Sequence, residues 1–219
     1  MGKLKYLFIL HILLFSSCSN STDYKIERKF KSVINNENCQ LEFYFPEIEV
    51  KGSNVNLSEL NGILEKYADH EYYGQRCDET KIKKRIVKGD YVITLQTEDI
   101  LSIEFTTDIS QSGQQAIPTV YHSLVMNPKK INEKEYSLIQ LGPESLFSNF
   151  DRGVLKKYVE KFNKTNNSIV NLLAYDSGST YAITWGLTRD NFILYVGGEG
   201  EWFGYDKIEI PIAEIKNNR

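Results

Sequence analysis

The side chains that most often carry catalysis are few in this sequence and do not fall into a catalytic spacing. Apart from one histidine near the N-terminus, the histidines are His70, between Asp69 and Glu71, and His122 in a strand-like run. Adjacent helix residues point to different sides, so we expect a solvated helix end at His70 and a sheet-surface position for His122. No HExxH, Gly-x-Ser-x-Gly or Gly-Lys-Ser/Thr motif occurs. The sequence therefore predicts no catalytic residue, no metal site and no cofactor.

A glycine-rich segment, Gly197–Gly204, is the one local feature with the composition of a binding loop. It has no basic residue, and Glu199 and Glu201 would repel a phosphate group, so it is a poor nucleotide site. Trp202 and Phe203 could instead stack on a sugar ring or fill a partner's pocket. The alternative, that both rings fill the end of the core between the last two strands, stays open.

The N-terminal eighteen residues have the pattern of an export signal. Lys3 and Lys5 precede the apolar run Tyr6–Phe15, and Ser16-Ser17 lead directly to Cys18. The run is too short to span a bilayer, which needs about 20 apolar residues. The position of the cysteine resembles a bacterial lipoprotein signal, in which that thiol becomes the lipid-carrying N-terminus. We expect cleavage after residue 17 and acylation of Cys18; an ordinary signal peptide is the alternative.

Two cysteines remain once Cys18 is set aside, and they could form a disulfide. Cys39 and Cys77 are an even number of thiols in a chain that we expect to reach an oxidising compartment. A bridge across this spacing could stabilise the fold by about 4 kcal/mol. Two buried thiols or half of a metal site are the alternatives, but without a CxxC pair zinc is poorly supported. We favour the Cys39–Cys77 bridge.

Composition indicates a globular, sheet-rich chain rather than a nucleic-acid-binding one. Of 219 residues 41% are hydrophobic, and 14 Tyr and 11 Phe stand against two Met, as is typical of strands. The formal charge is −3; losing Lys3 and Lys5 with the signal makes the mature chain more acidic still. Nucleic-acid binding needs a concentrated basic face, so we exclude that class of partner and expect membrane contact through the lipid alone.

The order of predicted elements favours an α+β fold, with a mainly antiparallel sheet and two or three helices packed on one face. We expect a signal over residues 1–17, a tether over 18–37 and one domain over 38–219. Helices are predicted from Asn56 to before Gly74, over Pro143–Phe147 and over Arg152–Asn163. The apolar face of the last helix is predicted to comprise Val154, Leu155, Tyr158, Val159 and Phe162. Strands are predicted over Cys39–Phe45, Tyr91–Thr97, Leu101–Thr107, Val120–Met126, Tyr181–Trp185, Phe192–Val196 and Lys207–Ile212. We expect a loop over Ser110–Gln115, and core followed by a turn at Trp185-Gly186.

Several segments resemble the extracytoplasmic domain of RsiV-type anti-sigma factors, which is shared with the non-catalytic N-terminal region of PdaC-type peptidoglycan deacetylases and is catalogued in many envelope proteins as a domain of unknown function. The likeness rests on Leu41–Pro46 with Leu60–Leu64, on Ser145–Phe147, on Thr188–Tyr195 and on the closing Ile208–Ile212. The resemblance implies an α+β envelope module that binds something in the cell-wall space. RsiV-type domains bind lysozyme.

These observations lead to one functional expectation and two alternatives. We expect a non-enzymatic lipoprotein, exported and anchored in the bacterial envelope, with the outer membrane favoured, that binds a lysozyme-type protein or peptidoglycan. Trp202 and Phe203 are its candidate ligand-binding residues. The alternatives are an enzyme that uses carboxylates on cell-wall glycans, and a structural or assembly lipoprotein.

Overall fold

The computed structural model describes ten stretches of the chain: residues 24–36, 39–50, 57–69, 85–111, 119–131, 141–147, 150, 152–166, 184–197 and 204–216. Eight strands lie within them: β1 Tyr24–Asn36, β2 Cys39–Val50, β3 Arg85–Gln96, β4 Leu101–Gln111, β5 Val120–Met126, β6 Trp185–Leu187, β7 Asn191–Gly197 and β8 Gly204–Pro211. The described helices are α1 Ser58–Asp69, α2 Pro143–Leu146, α3 Arg152–Asn166 and α4 Ile212–Lys216, with a 3₁₀ turn at Pro128–Lys130.

The eight strands form one sheet in the order β1-β2-β3-β4-β5-β8-β7-β6. Every pairing is antiparallel except that of β2 with β3. The predicted α+β class and the mainly antiparallel sheet are therefore confirmed. None of the helices in the described stretches is long and apolar enough to cross a membrane.

The predicted tether is wrong for residues 24–36, because these residues form strand β1. Tyr24 to Ile34 pair in register with Val50 to Gln40 of β2. The apolar side chains Tyr24, Ile26 and Phe30 alternate with lysines and glutamates in this segment, which is the period of a strand. The high charge of the segment conceals that period when composition alone is considered.

Strand β2 continues through Pro46 to Val50, beyond the predicted end at Phe45. Its ladder with β3 stops at Phe43, so the missing N–H of Pro46 interrupts no bond on that side. The buried positions change from odd numbers, ending at Phe43, to even numbers, starting at Pro46. Pro46 therefore marks the point at which the strand turns its other face inward.

Helix α1 packs against the first of two hydrophobic cores. Leu57, Leu60, Leu64 and Ala68 lie at helical spacing and are buried among Phe43 and residues of β4 and β5, as the sequence periodicity predicts. The side-chain amide of Asn61 accepts from the backbone N–H of Ile48 at 2.9 Å and donates to its carbonyl at 3.0 Å. Ile48 lies past the end of the β3 ladder, so Asn61 satisfies backbone groups that β3 does not reach.

The second core lies between strands β6–β8 and the remaining helices. Val154, Leu155 and Val159 of α3 pack there with Phe192 and Ile210. The predicted inner face of this helix is confirmed, although the helix continues to Asn166. Helix α1 therefore packs against one core and α3 against the other. Other boundaries shift modestly: β3 begins at Arg85, β4 continues through the predicted loop residues Ser110 and Gln111, and Ile212 begins α4.

We expect Asn61→Ala to destabilise the domain by about 1–3 kcal/mol, because it leaves the Ile48 N–H and C=O without partners. The midpoint of urea unfolding measures this loss. Gly62→Ala is the matched control in the same helix: a Cβ at Gly62 meets nothing within 4 Å, so the change should stabilise by up to about 1 kcal/mol. A wild-type midpoint in Asn61→Ala would show that the amide does not fasten α1 to β2.

Candidate functional site

Most of the site residues predicted from the sequence lie outside the described stretches. These are the lipidation residue Cys18, the possible bridge partner Cys77, the binding-loop residues Trp202 and Phe203, and His70. Cys39 is described: it begins β2 and is 3% exposed. Its pairing with Cys77 therefore remains a prediction.

The sheet consists of two halves, β1–β5 and β8-β7-β6. Among the described residues, Tyr121 of β5 pairs with Gly204 of β8 across the two halves. A Cβ at Gly204 would lie 2.5 Å from the Val196 nitrogen of β7, so glycine permits the start of β8 to lie this close to β7. Side chains also connect the two halves.

A buried carboxylate, Glu104 of β4, supplies that connection. The Tyr195 hydroxyl of β7 donates to one of its oxygens at 2.7 Å, and the Lys207 ammonium of β8 donates to the other at 2.7 Å. Lys207 also lies 4.2 Å from the centroid of the Tyr121 ring, which stacks on Tyr195. We name Glu104, Tyr121, Tyr195 and Lys207 the Glu104 cluster.

The arrangement of the Glu104 cluster favours a structural role over an acid–base role. The side chain of Glu104 is 7% exposed and that of Lys207 is 30% exposed. A buried charge is costly unless it is paired, and the more deeply buried charge, that of Glu104, has a partner. Burial raises the pKa of Tyr195 well above its ordinary value, and the Glu104 carboxylate raises it further. Tyr195 is therefore a hydrogen-bond donor that stays protonated. Both carboxylate oxygens are engaged by side chains of the second half, as suits a structural contact.

A second polar contact, at Ser102, joins β6 to β4 beside the Glu104 cluster. The backbone N–H of Leu187 donates to the Ser102 hydroxyl oxygen at 3.0 Å, and Thr94 bonds the same hydroxyl group. Gly186 belongs to β6 rather than to the turn expected from the sequence. A Cβ there would lie 2.7 Å from the Ser123 hydroxyl oxygen, so glycine lets β6 lie directly on the first half.

His122 is a buried residue, which corrects the expected sheet-surface position. It is 7% exposed, and the Tyr67 ring of α1 meets it edge-on with centroids 5.9 Å apart. It pairs with Phe105 across the ladder, on the face that holds the first core. The helix that covers this face lies more than fifty residues earlier in the chain, so the local sequence around His122 does not reveal the cover.

A group of carboxylates on the β1–β2 ribbon has the spacing of a cation site. One oxygen of each of Glu27, Glu47 and Glu49 lies within 4.8 Å of the others. Lys29 already bonds Glu27 at 2.7 Å and Glu47 at 2.8 Å. Hydrogen bonds from Lys25 and Lys29 lower the pKa of Glu27 to about 2. Lysine ammonium groups thus already pair with Glu27 and Glu47, and we assign no metal to the three carboxylates.

The same ribbon carries the most exposed aromatic ring in the described part of the chain. Phe30 of β1 is 55% exposed and its cross-strand partner Tyr44 is 39% exposed, with ring centroids 5.0 Å apart. Arg28 lies 4.1 Å from the centroid of Tyr44 and bonds both carboxylate oxygens of Asp90, at 2.8 and 2.9 Å. We name Arg28, Phe30, Tyr44 and Asp90 the aromatic surface.

Sequence reasoning gave part of this surface and missed the Glu104 cluster. The alternation in β2 places Tyr44 on the other face of the strand from Leu41 and Phe43, as the structure confirms. Phe30 is missed because its segment is read as a tether. Glu104 alternates with Ile103 and Phe105 and so has the pattern of an outward-facing residue. Its cover comes from β7 and β8, about ninety residues later.

The fold is similar to that of two solved structures. A member of the DUF3298 family from Bacteroides fragilis NCTC 9343 has 11% identity and a TM-score of 0.49, with 89% of this chain and 92% of that chain covered. A DUF3298 family protein from Pseudomonas aeruginosa PAO1 has 11% identity and a TM-score of 0.48, with 87% and 89% covered. Neither a family model nor a curated protein matches the sequence. This likeness assigns no activity.

We expect Tyr195→Phe to destabilise the domain by about 1.5–3 kcal/mol at pH 7, because a buried carboxylate loses a donor. The pKa of Tyr195 is raised in the folded protein, so the unfolded chain releases the phenol proton first, near pH 10. The stability from this group is present below pH 10 and is lost as the pH rises further.

Urea midpoints from pH 7 to 11 measure both effects, and the decline above pH 10 should be shallower in Tyr195→Phe. Tyr44→Phe, at an exposed ring, is the control and should change stability at pH 7 by less than about 0.5 kcal/mol. Equal midpoints for Tyr195→Phe and wild type would contradict a clamping role for the Glu104 cluster.

Proposed function

We propose that this chain is a lipid-anchored protein of the bacterial envelope whose α+β domain binds a wall-associated ligand, either a lysozyme-type protein or peptidoglycan, without catalysing a reaction. The observation that carries the proposal is Cys18, placed directly after the apolar run Tyr6–Phe15 and Ser16-Ser17. The resemblance of the chain to RsiV-like domains supports the envelope location and the class of ligand.

The position of β1 supports a domain held close to its anchor. The strand begins at Tyr24, six residues after Cys18, and six residues extend over at most about 20 Å. The domain would therefore stay near the membrane rather than reach far into the wall. A ligand for it must be able to approach to that distance.

The Glu104 cluster supports binding rather than catalysis. Its buried carboxylate, that of Glu104, already accepts hydrogen bonds from both Lys207 and Tyr195. The aromatic surface, by contrast, is open to solvent at Phe30. Exposed aromatic rings with an adjacent arginine are typical of recognition surfaces.

Cys18→Ser should move the protein from the membrane fraction to the soluble fraction, because a serine oxygen cannot receive the lipid through a thioether. Fractionation of cells, with the mass of the mature N-terminus, measures this. Ser17→Ala keeps a small residue ahead of the cysteine and should leave the protein in the membrane fraction. Membrane association of Cys18→Ser at the wild-type level would contradict acylation at this residue.

The mature chain, made from residue 18 with Cys18→Ser so that it stays unacylated, should be retained by insoluble peptidoglycan or by immobilised lysozyme. Co-sedimentation and surface plasmon resonance measure the two cases. A heat-unfolded sample serves as the control for non-specific adhesion. A folded sample that is retained by neither ligand would refute the proposed binding function.

A further inference from the structure

The aromatic surface combines an apolar ring with hydrogen-bonding groups that are already oriented. Phe30 is 55% exposed, although Ile26, on the same strand, packs against the first core. Tyr44 contacts Phe30 on one side and Arg28 on another. An exposed ring of this kind loses its bound water readily when a ligand covers it.

Arg28 is fixed by two partners that lie on different strands. Its guanidinium contacts the Tyr44 ring and bonds Asp90, which is 62 positions away in sequence. The side chains of Arg28 and Asp90 are 48% and 50% exposed. Their outer N–H groups and oxygen lone pairs therefore face solvent beside the Phe30 ring. Little affinity is lost in ordering them, because they are held in place before a ligand arrives.

The charge of the surroundings narrows the chemistry of the ligand. Every cation of β1 in the described structure is paired with a carboxylate: Lys25–Glu27, Arg28–Asp90, Lys29–Glu27, Lys29–Glu47 and Lys31–Glu65. Such a surface has no concentrated charge of either sign. It would attract neither an anionic lipid headgroup nor a strongly basic protein by electrostatic steering.

We propose that the aromatic surface binds a glycan strand of uncharged, N-acetylated sugars. This inference rests on the proposed function and names the surface that performs it. The Phe30 ring stacks on the apolar C–H face of a sugar. Tyr44 extends that platform, and Arg28 with Asp90 donates to and accepts from hydroxyl and acetamido groups. Ring stacking with adjacent planar polar groups gives recognition without a net charge on either partner.

Isothermal titration calorimetry of the unacylated mature chain with tetra-N-acetylchitotetraose tests the assignment. The double variant Phe30→Ser/Tyr44→Ser should weaken binding at least about tenfold. Val92→Ser is the matched control, since Val92 is 53% exposed on β3 but has no ring; it should bind within about twofold of wild type. A loss in Val92→Ser equal to that of the double variant would overturn the assignment.

Other variants keep the test decisive if the double variant does not fold, which circular dichroism will show. Arg28→Lys keeps the charge but not the planar fork, and should weaken binding several-fold. If the folded variants bind the tetrasaccharide and peptidoglycan as wild type does, this surface is refuted while the proposed function stands. If the folded variants lose lysozyme binding and the wild type does not bind the glycan, the surface recognises a protein and the inference is wrong. A folded wild type that binds no ligand refutes both.

Discussion

The Glu104 carboxylate is the buried charge on which both halves of the sheet converge. In the described residues the backbone pair Tyr121 with Gly204 joins β5 to β8. The hydroxyl of Tyr195 and the ammonium of Lys207 add a second connection by meeting on Glu104. A hydrophobic contact would tolerate sliding of one half over the other, whereas two directional bonds to one carboxylate fix its position.

The position of the second half also determines which part of the first half is covered. Strands β6–β8 lie on the face of β4 and β5 that carries Ser102 and Glu104. Phe30, Tyr44 and Val92 stay exposed on the ribbon and on β3. The second half of the sheet therefore leaves the aromatic surface open to solvent.

Local signals in the sequence predicted the elements well and the relations between elements poorly. Val120–Met126 was predicted with its observed bounds, and the inner face of α3 was predicted residue by residue. The strand period of β1 is present in its sequence but is masked by charge. The burial of Glu104 and His122 was not predictable, because the groups that cover them belong to distant elements. The change at Pro46 in which face of β2 is buried likewise depends on another element, because the ladder with β3 ends at Phe43.

Strand β1 carries Phe30 of the proposed binding surface and begins six residues after the proposed anchor. From Tyr24 to Phe30 the chain is extended and pairs continuously with β2, and six residues of strand cover about 20 Å. Together with the short segment after Cys18, this places Phe30 within about 40 Å of the acylated residue. From Tyr24 onward, tension between membrane and ligand would run along paired strands. Asn61, which ties Ile48 of β2 to α1, would pass that load to the first core.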